Sequence, residues 1–296
     1  MPKLLITNTF FISDAHVARL EQAGYEVVRL DRAVATEQEL IEALEGVSVY
    51  IIGGTEQVTE AVIESTDTLK TIIFCGVDYE KFIPAAEKAR QKGIELLNAP
   101  GANAVAVAEF AVGVAIAMQR DFFGISRTGD KTLQTTKSIQ DSVVGIIGAG
   151  HVAQAIIEGI SPFKPAEILY ANRSEKEIAA RKVELDELVA DSDIIFLTLP
   201  MKAGLVLDAR LISQIKPGSL IVSMSPMGLI DFAALLPRLQ SGELRCAVDW
   251  SAPSSEFEQL PLSTWFHVHS HSAYNTTAAI KSVSDMVTET AISLLK

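Results

Sequence analysis

The sequence predicts an α/β protein made of two doubly wound parallel-sheet domains. Three observations carry this expectation. Apolar runs of strand length alternate with stretches of helical spacing, an order that implies parallel strands joined by right-handed crossovers. The alternation occurs twice, once from Leu4 and again from Val143. Between the two series Pro100-Gly101 breaks the chain ahead of a long apolar helix.

In the first series Leu4 to Thr7 is a short apolar strand. Asp14 to Ala23 has helical spacing and stops at Gly24. Tyr25 to Leu30 is the second strand, and Thr36-Glu37-Gln38-Glu39 has the form of a capping box opening a helix that ends near Gly46. Val47 to Ile52, Leu69 to Cys75 and Glu95 to Asn98 are further strands. Ala104 to Gln119 is the apolar helix, and Asp121 to Gln140, lacking periodicity, is predicted to be a connecting loop. The second series has strands at Val143–Ile147, Ile168–Ala171, Ile194–Leu199, Leu220–Met224, Cys246–Asp249 and Phe266–Val268, and a last helix runs from Thr277 to Leu295.

Composition limits the function classes. The 296 residues give room for two domains, and 48% hydrophobic with 21% charged residues is the balance of a soluble globular chain with a full core. A net charge of −12 argues against nucleic acid or an anionic membrane as partner. It does not oppose an anionic ligand held by local backbone amides. Cys75 and Cys246 have no metal or redox spacing, and Met1-Pro2-Lys3 passes straight into a strand without a leader pattern, so a cytoplasmic protein with reduced thiols is expected. The longest uncharged apolar run, Phe110 to Met118, falls short of the roughly 18 residues that span a bilayer.

The most informative stretch is Val143-Val144-Gly145-Ile146-Ile147-Gly148-Ala149-Gly150-His151-Val152-Ala153. An apolar strand enters Gly-x-Gly-x-x-Ala and then a helix, the order of a Rossmann-type dinucleotide site. Gly148 permits the tight turn, Gly150 lets the backbone approach a pyrophosphate, and Ala153 lets the helix pack on the strand. The amides from Ala149 through Val152 then face the phosphates at a helix N-terminus. The next strand ends at Ala171, where an NAD site carries Asp or Glu for the ribose. Asn172-Arg173-Ser174 follows instead, supplying a guanidinium and a hydroxyl suited to a 2′-phosphate. The cofactor expected is NADP(H).

Taken in order, these motifs resemble the D-isomer-specific 2-hydroxyacid dehydrogenases over nearly the whole chain. The matching stretches are Gly76-Val77-Asp78-Tyr79, Gly93-Ile94, Asn98-Ala99-Pro100-Gly101, Val107-Ala108-Glu109, the glycine turn, Leu185-Asp186-Glu187-Leu188, Leu199-Pro200 and Lys216-Pro217-Gly218. Tyr170-Ala171-Asn172-Arg173-Ser174 is similar to the NADPH-using glyoxylate and hydroxypyruvate reductase branch. The resemblance implies a Rossmann cofactor domain over 101–276 and a flavodoxin-like substrate domain over 1–100 plus 277–296, with the active site in a cleft between them. It also implies a homodimer and cofactor contacts from Leu199, Pro200, Ser225 and Asp249. The residues themselves offer the Gly76 and Val77 amides as an alternative substrate anchor, and Tyr274, three residues past His271, as a group that packs on the substrate or donates a proton.

The family's catalytic set is an Arg, a Glu and a His, and each needs its own match. His271, ahead of Ser272-Ala273-Tyr274, falls where the family has its His, and suits a general acid because imidazole titrates near neutrality. Counting back from Asp231 puts Pro226 at the Arg position, and Pro has no charge and no donor. The Glu before Pro253 reads as Ala252, with Glu256 and Glu258 nearby on the following segment. His267, His269 and His271 alternate, but without Cys, Asp or Glu partners no metal site is expected. The expected function is NADPH-dependent reduction of a small carbonyl compound outside the usual 2-keto acids. Two alternatives stand beside it. One is a catalytically silent NADP(H)-binding sensor or scaffold. The other is a glyoxylate or hydroxypyruvate reductase whose Arg is displaced to Arg120 or Arg245.

Overall fold

The computed structural model describes residues 1–8, 11–32, 34–128, 135–268 and 272–296. In chain order the strands are β1 (Lys3–Thr7), β2 (Glu26–Leu30), β3 (Val47–Ile52), β4 (Thr71–Phe74), β5 (Glu95–Leu97), β6 (Val143–Ile147), β7 (Glu167–Ala171), β8 (Arg181–Lys182), β9 (Ile194–Leu197), β10 (Leu220–Ser223), β11 (Arg245–Val248) and β12 (Trp265–Phe266). The helices are α1 (Asp14–Ala23), α2 (Glu37–Ala43), α3 (Glu60–Glu64), α4 (Ala86–Gln91), α5 (Ala104–Gln119), α6 (Phe122–Thr128), α7 (His151–Ile160), α8 (Leu185–Asp191), α9 (Ala209–Gln214), α10 (Phe232–Gln240), α11 (Ser255–Glu258) and α12 (Thr277–Ser293).

The chain divides into two compact units, one formed by Met1–Asn103 with Thr276–Lys296, the other by Ala104–Asn275. The first unit holds a five-stranded parallel sheet in the order β2-β1-β3-β4-β5. Strand order reverses between β1 and β3, the arrangement of flavodoxin-like sheets. Thr36 opens α2 through a full capping box: its Oγ1 accepts from the Glu39 amide at 3.3 Å and its own amide donates to Glu39 Oε2 at 2.9 Å. One face of the sheet is closed by Leu40, Val62, Ile63 and Ala89, the other by Leu20 of α1 and Val283, Val287 and Ala291 of α12.

The second unit holds a seven-stranded parallel sheet in the order β12-β11-β10-β9-β6-β7-β8. Here the order reverses between β6 and β9. Strands of such sheets are covered on both faces and so read as apolar runs. The β6, β7, β9, β10 and β11 runs accordingly pack under α5 and α7 on one side and α8, α9 and α10 on the other, while the short edge strand β8 is exposed. This is the two-sheet doubly wound architecture expected from the alternating pattern.

Two local expectations are corrected. The stretch from Asp121 to Gln140 is not all loop, because Phe122–Thr128 forms α6. Asp121 Oδ1 accepts from the Gly124 amide at 3.2 Å, and the Phe123 ring stacks on Phe266 at 5.4 Å. Phe122 and Ile125 stay exposed, which is why no amphipathic period was legible. The last strand ends at Phe266 instead of Val268, so alternation from His267 onward has no strand to carry it. His269 lies outside the described residues.

Candidate functional site

The glycine turn follows β6 directly, at the point where strand order reverses. Crevices outside strand C-termini at such reversals are where doubly wound sheets bind ligands. Gly148 has φ of +113°, and a Cβ there would lie 2.7 Å from Thr198 Oγ1, so both the conformation and the space demand glycine. Its amide donates to the Ala171 carbonyl at 2.9 Å, tying the turn to the end of β7. Gly150 is the N-cap of α7 in extended conformation. Ala153 is fully buried in the cluster that holds Val144 and Ile146, which lets α7 approach the sheet.

What the turn leaves unmade is its main property. The amides of Ala149, Gly150, His151, Val152 and Ala153 have no acceptor among the described residues. Successive free N–H groups at the positive end of a helix dipole form a site for phosphate oxygens. A dinucleotide pyrophosphate fits this cradle by charge and donor set.

The end of β7 supplies the adjoining groups. Ala171 is buried and carries no carboxylate. Asn172 Nδ2 donates to the Ser174 carbonyl at 2.8 Å and approaches Ser174 Oγ at 3.3 Å, fixing the turn. Arg173 is exposed and has no acidic partner among the described residues. The Leu199–Pro200 turn after β9 is held by Ser225: its buried hydroxyl accepts from the Leu199 amide at 2.7 Å. Ser225 therefore acts on the neighbouring turn from inside the protein. Sequence reading missed two side chains here. Thr198 Oγ1 donates to the Ile147 carbonyl at 3.1 Å beside Gly148, and Tyr170 reaches into the turn that bears Arg173. Both look like ordinary strand residues in sequence.

Asp249 is fully buried after β11. Its Oδ1 accepts from the amides of Ser272 at 2.9 Å and Ala273 at 3.1 Å, and its Oδ2 from Ala273 at 3.0 Å. The carboxylate thus anchors the segment that follows position 271. His271 itself lies outside the described residues. Tyr274 is half-buried in the turn closed by the Asn275 amide on the Ser272 carbonyl at 2.9 Å.

Pro226 caps a short 3-10 turn, Met227–Leu229, after β10. Arg120 and Arg245, the two candidates for a displaced Arg, both lie away from that strand end. Arg245 opens β11, at the sheet edge opposite the glycine turn. Its guanidinium donates to Met118 O at 2.8 Å, Gln119 Oε1 at 2.6 Å and Gly218 O at 3.3 Å, and burial lowers its pKa. Arg120 follows α5 at that same edge and donates to Thr136 Oγ1 at 2.9 Å. Ala252 is half-buried, and Glu256 and Glu258 are exposed on α11 either side of the buried Phe257.

In the first unit, Gly76 and Val77 follow β4. The Gly76 carbonyl accepts from the Ala99 amide at 2.8 Å, and Asn98 Nδ2 donates to the Val77 carbonyl at 2.5 Å. The Val77 amide has no acceptor among the described residues, and the residue is 44% exposed.

A parallel sheet with a glycine turn at its reversal point, and amides there that have no acceptor among the described residues, defines a dinucleotide-binding domain of the Rossmann class. Residues 115–271, more than half of the chain, match the model of the D-isomer specific 2-hydroxyacid dehydrogenase NAD binding domain. The chain belongs to that family of NAD(P)-dependent oxidoreductases. It is 29% identical over 219 residues to a hydroxypyruvate reductase of Thermotoga maritima, covering 71% of each chain. It is 29% identical over 259 residues to a D-3-phosphoglycerate dehydrogenase of Methanocaldococcus jannaschii, covering 83% of this chain and 48% of that one. Among solved structures, an acyclic imino acid reductase in complex with NADPH and D-Arg superposes with a TM-score of 0.85 at 23% identity, covering 100% of this chain and 97% of that one. No helix among the described residues is long and apolar enough to cross a membrane.

Proposed function

We propose that this chain is an NADPH-dependent reductase of a small carbonyl compound that lacks the carboxylate of ordinary 2-keto acids. The observation that carries the cofactor choice is the end of β7, where Ala171 replaces a carboxylate and an exposed Arg173, without an acidic partner among the described residues, stands beside Ser174. The amides of Ala149 to Val152 would hold the pyrophosphate, and Asn172, Arg173 and Ser174 the 2′-phosphate. The nicotinamide, when bound, supplies hydride. The residues of the chain supply the rest. His271 holds the proton destined for the carbonyl oxygen, and Asp249 keeps the segment after it in place. The free Val77 amide offers a donor to a polar substrate group. Residues 1–100 with 277–296 serve as the substrate domain, residues 101–276 as the cofactor domain, and the enzyme acts as a homodimer.

Substrate choice rests on Pro226, which leaves no guanidinium at the end of β10. The similar fold of an acyclic imino acid reductase, solved in complex with NADPH, puts C=N compounds in the substrate screen beside ketones and aldehydes. The same loss of Arg, with Ala252 in place of Glu, favours the second reading, a silent NADP(H) sensor. Calorimetric titration with NADPH and NADH, on wild type and Arg173→Ala, tests the cofactor assignment. NADPH should bind more tightly, and the variant should lose about ten- to a hundredfold of NADPH affinity with NADH unchanged. Equal binding of the two cofactors by wild type sinks it. Turnover of any carbonyl or imine in the screen then decides between reductase and sensor.

A further inference from the structure

The turn that bears Arg173 is closed by a side chain from the strand beneath it. Tyr170 is 2% exposed, packed with Ile146 and Ala153 in the core between β6 and α7. Its hydroxyl accepts from the Lys176 amide at 3.0 Å and donates to the Lys176 carbonyl at 3.0 Å. A phenol has one proton to give and lone pairs to receive, so one residue's backbone uses it in both senses. At the other end of the turn, Asn172 Nδ2 is bound to Ser174. Beyond Lys176 the chain returns to the core, where Ile178 and Ala180 pack. Residues 172–176 thus leave the sheet at Ala171 and are fastened back onto the preceding residue of the same strand.

We propose that Tyr170 is a positioning residue for cofactor selection: its hydroxyl presets the 172–176 turn so that Arg173 and Ser174 meet the 2′-phosphate without being ordered on binding. This rests on the NADPH reading above. An exposed loop that must be immobilised by its ligand binds it less tightly than one already fixed. The effect is confined to the group that distinguishes the two cofactors, because the pyrophosphate is held by the separate turn after β6. A role in stability alone would weaken both cofactors together or neither.

The test is titration of the full chain and of Tyr170→Phe with NADPH and NADH, with thermal unfolding recorded to show that the variant is folded. Tyr170→Phe keeps the ring in its core site and removes only the hydroxyl. The expected result is NADPH affinity weakened about three- to tenfold, with NADH affinity within about twofold of wild type. An unchanged NADPH to NADH ratio, or equal weakening of both, overturns the proposal. Arg173→Ala separates this from the parent reading. If that variant loses NADPH preference while Tyr170→Phe keeps it, only the role of Tyr170 fails. If wild type shows no preference, the NADPH reading fails and this inference with it.

Discussion

The two sheets of this protein share a topological device and use it in opposite ways. In each, strand order reverses beside the first strand of the unit, β1 in one and β6 in the other. After β6 the reversal point is lined by amides without acceptors among the described residues. After β1 the corresponding place is filled. Glu56, 1% exposed, sends its carboxylate between β1 and β3, where Oε1 accepts from Tyr50 Oη at 2.8 Å and from Thr7 Oγ1. The Thr7 hydroxyl also lies 3.4 Å from the Gly53 amide. Topology therefore provides a place for a ligand, and local chemistry decides whether it stays open. A glycine turn running into a helix leaves donors free, whereas a loop that folds a carboxylate inward consumes them.

The largest expected effect comes from closing the open site. Gly148→Ala places a Cβ against Thr198 and forces a left-handed φ on a side chain, so the amides after it lose their aim. Losing two charge-assisted amide contacts to phosphate lowers affinity on the order of a hundredfold for NADPH and NADH alike. Gly53→Ala is the counterpart in the first sheet, where a Cβ would lie 2.5 Å from the Thr7 carbonyl. It should destabilise folding and leave the cofactor affinity unchanged. If Gly53→Ala weakens dinucleotide binding as much as Gly148→Ala does, the division of labour between the two reversal points is wrong.

Next in size is removal of the plug. Glu56→Ala leaves the Tyr50 and Thr7 hydroxyls without their carboxylate acceptor in a buried site, a cost of about 1–3 kcal/mol in denaturant unfolding. Glu56→Gln keeps a carbonyl oxygen for the same donors and should lie within about 1 kcal/mol of wild type. A destabilisation by Gln equal to that by Ala would mean that the charge, not the acceptor, holds the loop.

The same contrast explains what was legible in the sequence. The open site was readable because its parts are contiguous: strand, Gly148, Gly150, Ala153 and helix stand in a row, and the Asn172-Arg173-Ser174 turn follows the next strand. Helices with a capping box or long apolar content, such as α2 and α5, were equally plain. The plug was not readable, because Thr7, Tyr50 and Glu56 come from separate elements and each is unremarkable where it stands. For the same reason Tyr170 read as a strand residue, and nothing in the sequence showed that Ser225 and Asp249 accept backbone amides of neighbouring turns. The short helices α3, α4 and α6 escaped notice because too few residues report a period. In α6 Phe122 and Ile125 also face outward, which hides the pattern.

The smallest expected effect concerns pH, and it separates the plug's hydrogen bond from its burial. Burial first, and the Glu56 carboxylate second, hold the Tyr50 phenol well above its ordinary range. The buried Cys75 thiol is pushed up by burial and by the same carboxylate. Both groups stay protonated in the folded chain and ionise only once unfolded. Stability is therefore fully present below the unfolded values, near pH 9 for the thiol and pH 10 for the phenol, and declines as pH rises past them. Tyr50→Phe lowers stability by a constant amount through the lost hydrogen bond to Glu56, visible already at pH 7. It also removes one titrating group, so its curve should be flatter, regaining about 1 kcal/mol relative to wild type by pH 10.5. The offset measures the bond and the slope measures the burial, read from urea midpoints at each pH. Parallel curves for the two proteins would show that Tyr50 ionises as readily in the folded chain as in the unfolded one, and the site after β1 would then be open to water like the one after β6.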